Sequence, residues 1–214
     1  MTMRLPMFPL GSSFLPGQKL PLHIFEPRYQ RLVQDCLASP DGPLFGVVLI
    51  ARGNEVGGGE ERHDIGTLAR IEAHVEAGGG RYELFCRTES RIRVNAWLPD
   101  DPYPVADVDL WPDEDNGTQL VDFEFPALVE RIEFLYGLLG KLADRTGSEK
   151  PDTPQISGFR GSLGERLFEI ATHVPMGDAD RLEVLAAAGA DARMRAVAEA
   201  VENAVEMVQF RLLE

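Results

Sequence analysis

Catalysis and ligand capture need particular side chains at particular spacings, and this chain offers few of them. A phosphate loop would read G-x-x-x-x-G-K-[ST], with backbone N–H groups wrapping the phosphates and Lys meeting their charge. The nearest string, Gly137-Leu138-Leu139-Gly140-Lys141-Leu142, has the wrong spacing, no Ser or Thr, and a helical pattern. Gly57-Gly58-Gly59 runs into Glu60-Glu61, which repels phosphate. His23, His63, His74 and His173 stand apart, with no H-x-x-x-H, H-E-x-x-H or C-x-x-C spacing, so no metal ligand set is expected. There is no G-x-S-x-G, and the chain's lysines, Lys19, Lys141 and Lys150, lie in a loop, on an amphipathic helix and in a Ser/Pro linker. None sits where burial would depress its pKa, as a Ser–Lys pair requires. No catalytic residue, cofactor or metal is assigned.

The unusual chemistry lies at the N-terminus. Leu5-Pro6-Met7-Phe8-Pro9-Leu10 leads through Leu15-Pro16-Gly17 to Leu20-Pro21-Leu22-His23-Ile24-Phe25-Glu26-Pro27-Arg28-Tyr29, an apolar ribbon punctuated by prolines. Proline cannot donate to a strand ladder, so such a ribbon is expected at an edge or a crossover. An apolar edge that is not fully covered can receive an extended peptide. Phe8, Leu10, Leu22, Phe25, Glu26, Arg28 and Tyr29 are the expected peptide-contact residues: the apolar members for burial, Glu26 and Arg28 to orient the ligand's backbone or charges. Core packing is the competing role for Phe8 and Phe25.

The elements that must position this ribbon change character along the chain. The first 118 residues are strand-like and turn-rich. Leu44–Ile50 is a continuous apolar run, the pattern of a strand buried on both faces. Ile65, Thr67, Ala69, Ile71 and Ala73 alternate with Leu68, Arg70, Glu72 and His74; Tyr82, Leu84 and Cys86 repeat the alternation, as do Ile92, Val94 and Ala96, then Ala106, Val108 and Leu110. Gly57–Gly59, Gly78–Gly80 and Asp100-Asp101-Pro102 punctuate them. Short strands at roughly ten-residue spacing predict a barrel or sandwich. One early helix opens at Pro27, carries Tyr29, Leu32, Val33, Cys36 and Leu37 on one face, and closes at Pro40 and Gly42.

From residue 119 to 214 the period is helical. Pro126 opens a helix with the stripe Leu128, Val129, Ile132, Leu135, Leu139 and Leu142. Ser162-Leu163-Gly164-Glu165 has capping-box spacing, Asp178 is expected to cap a short helix ending near Gly189, and a last helix runs from about Asp191 to the end. Thr146 to Arg160, rich in Gly, Ser, Pro and Thr, is expected as a mobile loop.

Composition narrows the partners. Acidic residues outnumber basic ones by 35 to 21, for a net charge of -14. That opposes nucleic-acid binding, whose affinity comes largely from Lys and Arg on phosphates, and docking on anionic lipid. No apolar run reaches the roughly 20 residues that span a bilayer, and the N-terminus has no signal-peptide pattern. Cys36 and Cys86 lie in apolar segments and are expected as free, buried thiols of a cytoplasmic protein.

Taken in order, the N-terminal ribbon, Phe45-Gly46-Val47-Val48, Ile65-Gly66-Thr67-Leu68-Ala69-Arg70-Ile71, Gly80-Arg81-Tyr82 and Pro102-Tyr103 resemble the N-terminal substrate-binding domain of Lon proteases, over essentially the whole chain. One departure is Arg87–Arg91, which lacks the glycine expected at the turn before the next strand. The resemblance implies an α+β fold: a PUA-like β pseudo-barrel with one early helix, residues 1–118, then a C-terminal helical bundle, 119–214, ending in a long helix. It implies a stand-alone, non-catalytic member related to the S16 peptidases, without ATPase or protease parts, that binds unfolded or extended polypeptide or a specific partner protein. The alternatives are an RNA-binding PUA-like protein, with Arg87, Arg91 and Arg93 along one edge, and a small-molecule enzyme of unrecognised type.

Overall fold

A computed structural model describes residues 2–115 and 124–213. Backbone contacts divide the chain into two units, Met1–Pro112 and Asp113–Glu214. The boundary expected at 118/119 lies outside the described residues. The architecture is α+β.

The first unit contains β1 (Thr2–Leu10), β2 (Lys19–Ile24), α1 (Pro27–Ala38), β3 (Leu44–Arg52), β4 (Glu61–Glu76), β5 (Tyr82–Leu98) and β6 (Val105–Leu110). β1 pairs with β3, β3 with β4, β4 with β5, β5 with β6, and β6 with β1. Five strands thus close a ring, and closure removes the open edges that invite unwanted pairing. β2 stands outside the ring, paired with the first half of β5, and ends the strand order.

Prolines explain how β1 fits. Residues 2–6 pair antiparallel with β6 and residues 7–10 parallel with β3, so the strand changes partner between Pro6 and Met7. Each proline lies where β1 pairs on one side, which leaves its missing N–H on the other. The expected crossover is therefore a change of neighbour within one strand.

Both faces of the sheet are packed. Leu5, Met7, Val48, Leu68, Ile92, Val94, Ala106 and Val108 form one buried cluster. Phe8, Leu10, Val47, Ala69 and Ile71 belong to another, shared with β2 and with Tyr29, Leu32, Val33 and Cys36 of α1. Consecutive residues such as Met7/Phe8 and Val47/Val48 fall in opposite clusters, which is why β3 reads as an unbroken apolar run.

Three register shifts alter the expected alternation. β5 runs unbroken through Arg87–Arg91: two of its residues, Glu89 and Ser90, oppose the single Leu68 of β4, so a bulge replaces the glycine turn expected there. A shift between Ile71 and Ala73 turns Ala73 outward, and another between Val94 and Ala96 does the same to Ala96.

The second unit contains α2 (Glu124–Thr146), a 3-10 turn (Ile156–Gly158), α3 (Leu163–His173), α4 (Asp178–Ala186) and α5 (Ala190–Leu213). Ser162 caps α3 as expected: its Oγ accepts from Glu165 N–H (3.3 Å), while the Glu165 carboxylate accepts from Ser162 N–H (2.8 Å). Gly177, not Asp178, is the cap residue of α4; Asp178 begins the helix, where its charge suits the N-terminal dipole. The segment expected as a mobile loop holds the 3-10 turn, whose Ile156 is buried. Val129, Leu139 and Leu142 of the expected α2 stripe are half-buried, while Leu128, Ile132, Leu135, Tyr136 and Leu138 are buried. Met194, Val197, Ala200, Val201, Ala204, Val205 and Val208 bury one face of α5, and Arg193 is buried on Asp113 (2.6 and 2.7 Å).

Candidate functional site

The first unit carries a cleft of about 170 Å³ lined by Phe8, Leu10, Pro21, Leu22, His23, Ile24, Phe25, Glu26, Tyr29, Glu55 and Val56. Pockets for whole small ligands run to roughly 300–1,000 Å³. This one suits a side chain of a longer ligand better than a free cofactor.

Six of the seven residues expected from sequence line it; Arg28 does not. They divide by exposure. Phe25 is 57% exposed just beyond β2, free of the core role that competed for it. Phe8, Leu10, Leu22 and Tyr29 are buried, so they form the floor and are also core. Tyr29 stacks on Phe8 with ring centroids 4.1 Å apart, and the Arg28 guanidinium lies 4.4 Å from the Tyr29 ring centre.

The polar members face inward on the protein's own backbone. Glu26 Oε2 accepts from Arg28 Nε–H (3.1 Å) and from Gly57 N–H (3.4 Å), and Arg28 Nη2–H donates to the Glu55 carbonyl (3.1 Å). Gly11 N–H donates to the Glu55 carboxylate. Together they fasten the β3–β4 loop as a wall of the cleft. That loop turns through Gly57, Gly58 and Gly59 at φ of +102°, +81° and +79°, a left-handed path that side chains disfavour. Held there, Val56 is 59% exposed beside the cleft.

One buried side-chain polar atom in the cleft lining has no partner among the described residues: the Tyr29 hydroxyl. Burial pushes its pKa well above the ordinary tyrosine value; Arg28 opposes this, while Glu60 and Glu26 add to it. At neutral pH it is therefore a hydroxyl able to donate.

Glu55 and Val56 escape the sequence reading. The usable signal was a lone valine inside a glycine-rich polar loop, where nothing nearby gives it a packing role. The arginines considered for RNA do not form one open row: Arg91 is buried, Arg87 pairs with Glu72 (2.7 Å), and Arg93 lies on the Trp111 ring (3.8 Å). Both cysteines are free and buried, with Cys36 Sγ 3.3 Å from the Leu44 carbonyl. Among the described residues no three His, Cys, Asp or Glu side chains gather as a metal site. No helix among them is long and apolar enough to cross a membrane.

Comparison with known proteins agrees with this architecture. The chain is similar to the Lon N-terminal domain protein from Xanthomonas campestris, with a TM-score of 0.58 and 24% identity, covering 90% of this chain and 95% of that one. It is also similar to the N-terminal domain of Mycobacterium avium complex Lon protease, with a TM-score of 0.56 and 14% identity, over 94% and 99% of the two chains. At these identities the likeness shows the fold. Among curated proteins, Lon protease 2 of Myxococcus xanthus is 27% identical over 96% of this chain, and the Lon protease of Anaeromyxobacter dehalogenans is 25% identical over the same share. The chain spans about a quarter of the length of these relatives: 24% in both cases. The model of the ATP-dependent protease La (LON) substrate-binding domain matches residues 4–203. With nearly every element of both units inside that match, the chain belongs to the Lon substrate-binding domain family.

Proposed function

We propose that this chain is a polypeptide-binding module that performs no bond chemistry itself, and that the cleft between β1, β2 and the β3–β4 loop is its contact site. One observation carries the reading: two apolar side chains, Phe25 and Val56, are held in solvent at the lip of a cleft lined by Tyr29, whose buried hydroxyl has no partner among the described residues. Exposed apolar groups next to an unsatisfied buried donor suit a ligand with both apolar side chains and backbone carbonyls. Membership in a family of substrate-binding domains supports the same reading. Phe8, Leu10, Leu22, Phe25 and Tyr29 contact the ligand, and Glu26 and Arg28 act at one remove by holding the loop that carries Val56. The binding partner is an unfolded or extended segment of another protein.

The test is a fluorescence-anisotropy titration of a labelled, permanently unfolded polypeptide, without nucleotide. Saturable micromolar binding is expected. Phe25→Ala should weaken it about tenfold, since losing the burial of much of one phenyl ring costs on the order of 1.5 kcal/mol. Phe25 is exposed, so the variant should fold. An unchanged affinity would remove the cleft from the site.

A further inference from the structure

We propose that the polypeptide is bound as an added β-strand on the edge of β2 that no other described strand pairs with, in a register set by Pro21, with a preference for apolar segments flanked by basic residues. This rests on the cleft reading above and specifies how the cleft holds its ligand.

The first observation is the lining itself. Residues 21 to 25 contribute to the cleft consecutively. A strand that shows one face to a cavity contributes alternate residues, because successive side chains point to opposite faces. Four in a row on the strand, followed by Phe25 just past its end, mean that the cleft runs along the strand's edge.

The second is the hydrogen-bonding phase of β2. Thr88 N–H donates to the Gln18 carbonyl at 2.9 Å. In an antiparallel ladder the groups facing the partner alternate, so Leu20, Leu22 and Ile24, opposite Cys86, Leu84 and Tyr82, turn theirs toward β5. Lys19, Pro21 and His23 turn theirs away. Proline therefore stands at a position whose N–H would have pointed off the sheet, which is where an edge strand tolerates it. The edge presents three carbonyls, at Lys19, Pro21 and His23, but N–H groups only at Lys19 and His23. A guest strand can fully match that pattern in one phase, with no acceptor required opposite Pro21.

The third is what lies beside the edge. Phe25 and Val56 stand exposed within reach of alternate guest side chains, over a floor made by Phe8 and Leu10. β-Strand addition draws affinity from main-chain bonds and selectivity from such alternate pockets. Glu55 lines the same cleft with its carboxylate on the neutral Gly11 N–H, whereas Glu26 is paired with Arg28; on a chain of net charge -14 this favours positive flanks on the guest.

The experiment uses the whole protein and three labelled versions of one peptide, an apolar nine-residue segment with a lysine pair at each end. One version is unmodified, and the others carry backbone N-methyl groups at the odd or the even positions. The expected result is that one methylated version binds at least thirtyfold more weakly, while the other stays within threefold of the parent. His23→Pro, which removes an outward N–H and leaves the β5 ladder intact, should weaken the parent at least tenfold. Lys19 and His23 amides should gain hydrogen-exchange protection in the wild-type complex. Exchanging the lysine pairs for glutamates should weaken binding at least fivefold at low salt. Equal loss, or no loss, from the two methylated versions overturns strand addition; if Phe25→Ala still weakens the parent peptide, the cleft reading survives alone. If no version binds the wild-type protein, both fall.

Discussion

Tyr29→Phe should make the protein more stable and a poorer binder at once. The change deletes one oxygen. The ring is 3% exposed, stacked on Phe8 at 4.1 Å, with the Arg28 guanidinium 4.4 Å from its centre, and phenylalanine keeps all three features. What disappears is a buried hydroxyl without a hydrogen-bond partner among the described residues. Burying such a group costs about 1–3 kcal/mol, and part of that is recovered when it is removed. A gain of about 1 kcal/mol should raise the unfolding midpoint by roughly 2–4 °C for a chain of this length. The same deletion removes one hydrogen bond to a ligand, worth about 0.5–1.5 kcal/mol, or roughly a two- to tenfold loss of affinity. Thermal melts by circular dichroism and the polypeptide titration read the two effects separately. A midpoint lowered by more than about 2 °C would show that the hydroxyl is satisfied in the free protein, and the reasoning would fail. Unchanged affinity would take the hydroxyl out of the site.

Two further outcomes test the fold. A Cβ at Gly66 would run into the carbonyl oxygen of Val47 on the neighbouring strand, so Gly66→Ala should prevent the barrel from forming, whereas Gly137→Ala, in open space on α2, should stabilise by roughly 0.5–1 kcal/mol; chemical denaturation of the two variants compares them. Burial pushes both the Cys36 and Cys86 thiols up to about 12 from an ordinary 9.0, so only the unfolded chain ionises them in that interval. Their contribution is complete below pH 9 and is lost as pH rises towards 12; a Cys36→Ala/Cys86→Ala variant should show a shallower alkaline decline in stability.

Much of the fold was legible because its signals are local. Alternation located the strands, Pro27 the early helix, and Ser162 with Glu165 the start of α3. Bulges are not local: the outward turn of Ala73 and Ala96 follows from how each strand is paired, and their own segments carry no mark of it. The cap of α4 lies one residue before the expected Asp178, because an aspartate serves equally well just inside a helix. In the cleft, the prolines of the ribbon read as an edge or a crossover, and Phe25 is one of the seven contact residues expected from it. The ribbon alone could not show that Glu26 and Arg28 are engaged by a loop some thirty residues away, because that depends on the long-range closure of β3 onto β4.

The change of neighbour within β1 also governs the order in which the protein can be made. β1 is synthesised before both of its partners, and it needs residues 46–49 for one half and 105–109 for the other. At translation speeds of about 5–20 residues per second, its first half stays single for several seconds after it leaves the ribosome. A bare apolar strand in that interval is a nucleus for clumping with neighbouring nascent chains. Pro6 and Pro9 interrupt its row of donors throughout, so the residues that let β1 divide itself between two partners also protect it before either partner exists.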